Sequence, residues 1–385
     1  MGDKLAAKRE KIWTPAVILS TFGLCASGTL SIMSLKIQGT TFTFKHGMLQ
    51  TFLMFLGEYI NLFMFAIPLM ISSKAREQHF TELKAMAISK NRSLKYTKLW
   101  AALPALIDAV GSGMSITSLL LLPASVAQML QGGQIVTTCL FSKWINNRAI
   151  LRHHFMGVVC STIGFAFVGL AGYISTKGGE DDGNYTFGGF VLGIIMIVIN
   201  LILQAVQSNI EEKICTKNAI PAKRMVGLEG LFGIVWMFGV LIVLSFIPCP
   251  NSQLCDMRGY TEDVATGLKQ LIDTPALMLW CAATIFAIVF VNLNAMILIQ
   301  KVSAVFRIFW SNTTTVFVWI ICLLIGYEKF VLIPFLIQFA GFTFLIIGNF
   351  TYNEVIKWRI MGLDRDLEPL PQDENFSSVT KTEDN

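Results

Sequence analysis

The stretch FGGFVLGIIMIVINLILQAVQSNIEEK, residues 187–213, decides the fold of this chain. Its apolar part exceeds the roughly 20 residues that a helix needs to cross a bilayer. Asn200, Gln204, Gln207 and Glu211 recur within it at i, i+4, i+7 and i+11, which places them on one face of a helix. The stretch therefore predicts a membrane-spanning helix with one polar face, and we expect that face to meet protein or water rather than lipid.

Apolar runs of similar length recur along the whole chain. Of its 385 residues, 54% are hydrophobic and 14% are charged, and the mean hydropathy is +0.61. A soluble domain of this composition would expose large apolar patches, whereas a bilayer accommodates them. We therefore predict an all-α membrane protein with ten transmembrane helices over residues 12–35, 49–72, 99–121, 124–145, 154–174, 187–210, 226–247, 276–299, 303–325 and 331–353.

The basic residues indicate how these spans are oriented. When residues 1–11 are placed in the cytosol, most of the 30 lysine and arginine residues fall in loops on the cytosolic side. Both termini are then cytosolic, and the polar tail at 360–385 is expected to be disordered. The first span is long and follows basic residues, which is typical of a signal anchor.

Two halves of the chain carry similar patterns in the same order. Phe155-Met156-Gly157 followed by Gly164 resembles Phe339-Ala340-Gly341 followed by Gly348. Five spans are an odd number, so two five-span halves have opposite topology. We interpret 12–174 and 187–353 as inverted repeats with a solute site between them, as in many secondary transporters.

Amides inside the spans are candidates for the wall of a solute cavity. Asn200 and Gln204 belong to the polar face of the sixth span, and Gln128 and Gln131 form a broader polar face on the fourth. Bonds between amides that only hold helices together are the alternative interpretation. The four polar residues that share one face of the sixth span favour a hydrated wall over this alternative. Asn292 and Asn312 lie at a similar depth and complete this set.

Ionisable groups inside the spans are candidates for coupling or gating. Glu58 and Asp108 lie near the middle of the second and third spans, and either could bind a proton or a cationic group. Arg307, Glu229 and Glu211 lie at similar depth towards the cytosol. They predict either a structural ion pair or a gate whose pairs form in one state and break in another.

The charge of this interior bears on the class of solute. Carboxylates outnumber the single arginine, whereas a pathway for polyanions should carry more lysine and arginine. We therefore expect a neutral, zwitterionic or cationic solute, with protons as a further partner. The sequence contains no nucleotide-binding loop, zinc motif or catalytic triad pattern, so we expect no enzyme activity, cofactor, resident metal or nucleic-acid partner.

Two features of the predicted non-cytosolic loops agree with this orientation. Cys249 and Cys255 lie in one loop on the oxidising side and predict a disulfide. Asn184-Tyr185-Thr186 is a glycosylation sequon in another loop on that side.

A set of strings in fixed order resembles a known family. They are HGMLQTFLMFLGE (46–58), PALIDAVGSG (104–113), AQMLQGG (127–133), EEK (211–213) and GLEGLFG (227–233). With the last two spans they resemble the drug/metabolite transporter superfamily, of the EamA-like type, and more narrowly the F subgroup of solute carrier family 35.

The resemblance implies a fold of two EamA-like halves around a central cavity. It would place Asp108, Gln128, Gln131, Asn292 and Asn312 at that cavity, with Glu58, Glu229 and Arg307 near it. It further implies an alternating-access carrier in the membrane of an organelle: a lysosome, vacuole or Golgi, or alternatively a mitochondrion. A nucleotide-sugar antiporter, and a scaffold that binds a partner protein or a second copy without transport, are the alternatives.

Overall fold

The computed structural model describes residues 14–44, 46–89, 93, 98–121, 130–131, 133–146, 152–178, 187–248, 262–325 and 332–352. These residues are almost entirely helical. They form α1 (Pro15–Thr40), α2 (Gly47–Ile71), α3 (Ser73–Ser89), α4 (Ala102–Leu121), α5 (Gln134–Ile145), α6 (Arg152–Gly178), α7 (Phe187–Lys217), α8 (Ala222–Leu244), α9 (Val264–Asp273), α10 (Pro275–Lys301), α11 (Ala304–Ile325) and α12 (Leu332–Tyr352).

Each predicted span overlaps one of these helices, and among the described residues α3 and α9 are further helices. Within the described ranges, six helices are long and apolar enough to cross a membrane. They lie at Pro15–Gly39, Gly47–Ile71, Val191–Lys217, Ala222–Leu244, Pro275–Lys301 and Phe335–Tyr352. This confirms the prediction of a helical membrane protein, while the count of ten spans stays a prediction. Much of the first half of predicted span 124–145 lies outside the described residues.

Two helix boundaries differ from the predicted spans for a physical reason. α7 continues to Lys217 rather than stopping at 210, and α8 begins at Ala222 rather than at 226. Hydropathy marks where a helix leaves the apolar layer, whereas backbone hydrogen bonds continue through charged turns. Glu229 consequently lies about two turns inside α8 and not in its first turn.

Capping residues set the ends of α1 and α9. The Thr14 hydroxyl accepts from the Val17 amide at 3.4 Å, and Pro15 occupies the first helical position, where its missing N–H costs nothing. The Asp263 carboxylate accepts from the Thr266 amide at 3.1 Å at the start of α9. This cap fixes the start of α9, and Gly267 on that helix lies against His46, just before α2.

The long helices pack in a consistent set of pairs. α6 packs on α12, α2 packs on α8, and α5 contacts α11. α1 packs on α10 and on α11. In the same way, α7 packs on α4 and on α5. The central helices α2 and α8 contact each other, and each of them also contacts α4 and α10, which brings the polar positions of the sequence towards one place.

Glycines allow the two closest of these crossings. The repeated glycines of the sequence meet each other: a Cβ on Gly157 would lie 2.8 Å from the Gly348 carbonyl oxygen, and one on Gly164 would lie 2.7 Å from that of Gly341. On α8, Gly227, Gly230 and Gly233 lie against the backbone or side chains of α2. Small residues at such spacings let membrane helices approach closely.

The outward-facing surface of the bundle is apolar. Large side chains such as Leu19, Phe22, Phe238 and Phe286 are exposed, with Leu19 at 74% and Phe22 at 72% of full exposure. Patches of this kind would drive aggregation in water, and they suit contact with lipid. The chain is accordingly an integral membrane protein.

We predict that Gly230→Ala destabilises the protein by about 1–3 kcal/mol, because the new methyl group would overlap the α2 backbone at Glu58 and Tyr59. Thermal unfolding in detergent measures the effect. Gly239→Ala is the matched control on the same helix, because nothing lies within 4 Å of a Cβ at that position. Equal unfolding temperatures for the two variants would contradict this account of the crossing.

Candidate functional site

A cavity of about 190 Å³ lies among α2, α4, α7, α8, α10 and α11. Its wall contains seven of the residues predicted from the sequence: Glu58, Asp108, Gln204, Glu211, Glu229, Asn292 and Arg307. They come from six different helices and are far apart in the chain. The helix packing therefore collects most of the predicted polar positions around one space.

The polar face of α7 forms one side of this cavity. Gln204, Gln207 and Glu211 line it, as the helical spacing predicts. Asn200 lies one turn further along and is not on the wall. Its Oδ1 is buried without a hydrogen-bond partner and lies next to Gly111 on α4.

Asp108 joins α4 to α7 across the cavity. Its Oδ1 accepts from the Ser112 hydroxyl at 2.8 Å and from the Gln204 amide nitrogen at 3.0 Å. Ser112 stands one turn after Asp108, so the first bond lies within α4. The second bond fixes the register of α4 against α7.

Glu58 joins α2 to α10 in a similar way. Its Oε1 accepts from the Asn292 amide nitrogen at 2.6 Å. Gly57, the preceding residue, lets α2 approach α10 closely, because a Cβ there would lie 2.8 Å from the Ile285 carbonyl oxygen. The close packing and the polar contact therefore occur at the same level of the bundle.

Arg307 and Glu211 join α11 to α7. The Arg307 Nη1 lies 3.5 Å from a Glu211 oxygen and donates to the Ser208 hydroxyl at 3.1 Å. The other Glu211 oxygen accepts from the Gln207 amide nitrogen at 2.9 Å. Of the two charged side chains, Glu211 is 3% exposed and Arg307 is 18% exposed, so the pair is largely removed from water.

Glu229 differs from the other three carboxylates of the wall. It is 7% exposed, and its Oε1 is buried without a hydrogen-bond partner. The Gln207 Oε1, on the same wall, is likewise buried and without a partner. Buried acceptors of this kind are uncommon and call for an explanation.

The charges on the wall do not balance. Four carboxylates face one arginine, and that arginine is already paired with Glu211. In a region of low dielectric this leaves the cavity attractive to positive charge and unfavourable to anions. In the described part of the chain, no three His, Cys, Asp or Glu side chains converge with the geometry of a metal site.

The remaining predicted residues lie away from the wall or outside the described ranges. Gln131 donates to the Ser115 hydroxyl of α4 at 2.7 Å, which is a helix-to-helix bond. The Asn312 Nδ2 is buried without a hydrogen-bond partner. Gln128, Cys249, Cys255 and Asn184 lie outside the described residues, so their roles remain predictions.

Some wall residues were not among the predicted site residues. Ser112 could have been found from its place one turn after Asp108, whereas the helical spacing had already placed Gln207 on the polar face of α7. The apolar part of the wall includes Met54 and Met296. No sequence pattern distinguishes these two methionines from residues that face lipid.

Comparison with known proteins places the chain in a family. The model of the UAA transporter family matches residues 44–323. The chain therefore belongs to the UAA transporter family, which is a family of transporters rather than of enzymes. The resemblance inferred from the ordered strings is confirmed.

Individual relatives narrow this placement. Solute carrier family 35 member F6 of Pongo abelii is 29% identical over 332 residues, which cover 86% of this chain and 84% of that protein. The human protein of the same name is 29% identical over 311 residues, which cover 81% and 79%. The chain is therefore similar to F-type members of solute carrier family 35 over most of its length.

A solved crystal structure supports the fold independently of sequence. It superimposes with a TM-score of 0.56 and covers 89% of this chain and 99% of the other, at 12% sequence identity. At this identity the likeness concerns the fold alone.

We predict that Arg307→Met destabilises the protein by about 3 kcal/mol, because it leaves the Glu211 carboxylate buried without its cation. Adding Glu211→Gln should recover part of the loss, since the amide oxygen can still accept from Gln207. Chemical or thermal unfolding in detergent measures the cycle, and Lys301→Met, at an exposed position, is the control. A double variant no more stable than Arg307→Met alone would show that the pair is not the cause.

Proposed function

We propose that this protein is a secondary carrier that moves a small organic solute across an organelle membrane by alternating access. The observation that carries the proposal is the cavity of about 190 Å³ with polar and charged residues on its wall, enclosed by helices of a transporter family. A polar wall inside an apolar bundle is expensive unless water or a solute uses it.

The pattern of helix pairs supports two halves of five helices each, because it is unchanged when the helices of one half are exchanged with those of the other. If α1, α2, α4, α5 and α6 are exchanged with α7, α8, α10, α11 and α12, the pair α1 with α10 becomes α7 with α4, and both are observed. The pairs α2 with α8, α5 with α11 and α6 with α12 map onto themselves. We propose that residues 12–174 and 187–353 are the two inverted repeats, flanked by cytosolic residues 1–11 and the tail at 360–385.

Two polar contacts connect one proposed half to the other. Asp108 accepts from Gln204, and Glu58 accepts from Asn292, in both cases across the boundary between halves. Rocking of one half against the other would break or exchange these bonds. Both therefore suit the role of contacts that change during the cycle, and Arg307 with Glu211 suits a gate.

The wall favours a neutral, zwitterionic or cationic solute over a polyanion. The arginine of the wall is held by Glu211 and Ser208, so it is not available to a phosphate group without breaking those contacts. Nucleotide sugars carry phosphates and would meet three further carboxylates. A nucleotide-sugar antiporter is therefore the less favoured alternative.

Coupling and localisation follow as parts of the same proposal. Carboxylates in a cavity can exchange protons with water, so a proton gradient is the proposed driving force. The relatives are named solute carriers, and we propose an endomembrane location with both termini in the cytosol. A homodimer or a protein partner would be compatible with this function.

We predict that Asp108→Asn lowers solute uptake by at least about tenfold, because it removes charge from the wall. The Oδ1 atom that accepts from Ser112 and Gln204 is retained, so the fold should be unaffected. Purified protein in liposomes, assayed with amines, amino acids and nucleotide sugars with and without a proton gradient, gives the measurement. Asp273→Asn, exposed on α9, is the matched control.

The same assay separates the carrier from a scaffold. A scaffold of identical fold would move none of the solutes, and Asp108→Asn would leave cellular phenotypes unchanged. Uptake of nucleotide sugars alone would contradict the proposed solute class, while leaving the carrier function in place.

A further inference from the structure

Among the acidic residues described on the wall, Glu229 is the one with a buried oxygen that has no hydrogen-bond partner. Its Oε1 is buried without a hydrogen-bond partner, although the residue lines the cavity. An oxygen that has lost water and gained no donor destabilises the protein, and more so when it is charged. A ligand that brings a donor or a positive charge would remove this cost.

The neighbouring helices cannot supply the missing charge. Glu58 faces the cavity from α2, Asp108 from α4 and Glu211 from α7, and all three are acidic. Arg307 faces it from α11 but is paired with Glu211. α10 contributes the uncharged amide of Asn292, which donates to Glu58.

The position of Glu229 is fixed by the backbone next to it. Gly230 lies against the α2 backbone at Glu58 and Tyr59, and Gly227 and Gly233 lie against α2 on either side. α8 therefore cannot rotate to present Glu229 to lipid without losing this crossing. Glu229 therefore stays on the cavity wall, close to the level of Glu58.

The other part of the wall is apolar, which indicates that a ligand carries hydrocarbon as well as a positive charge. Met54, Val226, Ile288, Val291, Ala295 and Met296 line it. Water and inorganic ions gain little from such a surface, whereas the methylene groups of an organic ion bury apolar area against it. The cavity of about 190 Å³ is below the range of roughly 300–1,000 Å³ that drug-sized ligands occupy.

We propose that the Glu229 carboxylate binds the ammonium group of a small organic cation, and that a proton occupies the same carboxylate when the cation is absent. This rests on the proposed carrier function and names its solute class. An N–H of the ammonium group donates to the Glu229 Oε1, and the alkyl part lies on the apolar wall. Binding releases the proton to water in the cavity, so one positive charge replaces another. The exchange gives an antiport of one proton for one cation.

The test uses the full-length protein in lipid nanodiscs and three probes of matched length. 4-Aminobutan-1-ol carries an ammonium group, and butane-1,4-diol has a hydroxyl in its place. 4-Aminobutanoate keeps the ammonium group and has a carboxylate in place of the hydroxymethyl group. Equilibrium binding of tritiated 4-aminobutan-1-ol is measured directly, and the other two compete. We expect the diol to compete at least about a hundredfold more weakly, and the zwitterion at least about tenfold more weakly.

Variants assign the charge preference to one residue. Glu229→Gln should lower the affinity for 4-aminobutan-1-ol by about tenfold or more, and Glu229→Asp should keep most of it. Glu82→Gln, on the exposed surface of α3, should leave it unchanged. Calorimetry in two buffers of different ionisation enthalpy should show release of about one proton per bound cation at acidic pH.

Three results would overturn the proposal: equal affinity for the diol and the amino alcohol, undiminished binding by Glu229→Gln, or no binding of the amino alcohol by the wild-type protein. If Glu229→Gln fails to fold, the diol comparison and the proton release on the wild-type protein decide. Binding does not require transport, so charge-selective binding without uptake would contradict the carrier function and the antiport and leave the cation site in place. Uptake of neutral solutes with no ammonium binding would contradict the cation site alone.

Discussion

The structure depends on the cost of placing carboxylates inside an apolar bundle. Glu58, Asp108 and Glu211 each accept a hydrogen bond from the side-chain amide of an asparagine or glutamine on the same wall. Glu211 also lies beside Arg307. Each partner must be held at a set depth for this to work, because these bonds replace the hydration that the carboxylates lose when the helices pack. The arrangement of α2, α4, α7, α10 and α11 around the cavity follows from this requirement.

The glycine crossings provide the rigidity that the polar contacts need. α8 lies against α2 through three glycines, and α6 lies against α12 where Gly157 meets Gly348 and Gly164 meets Gly341. In lipid there is little hydrophobic drive between helices, so close backbone contact and polar bonds set the packing. The same crossing keeps Glu229 on the cavity wall with one oxygen unsatisfied. The close crossing and the position of Glu229 on the wall thus have a common origin in the sequence GLEGLFG at 227–233.

Local periodicity predicted much of this arrangement. The positions of the helices and the polar face with Gln204 and Glu211 follow from residue spacing, and the depth of Glu58 and Asp108 follows from their place in apolar runs. Which side chain bonds to which depends on how the helices are aligned against each other, and residue spacing within one helix does not give that alignment. The bonds from Gln204 to Asp108 and from Gln131 to Ser115 therefore could not be predicted from the sequence. Helix ends were misplaced where charged residues such as Lys223 continue a helix beyond the apolar layer.

Access of water to the cavity wall is the most direct test of the account. Ser112 lines the cavity, whereas Ser118, on the same helix, is fully buried away from it. Ser112→Cys and Ser118→Cys are treated with a membrane-impermeant thiol reagent from each side, and modification is located by peptide mass spectrometry. We expect Ser112→Cys to react from at least one side and Ser118→Cys to stay unmodified. If Ser112→Cys reacts from neither side, the wall is dry and sealed, and water and solute do not reach its carboxylates.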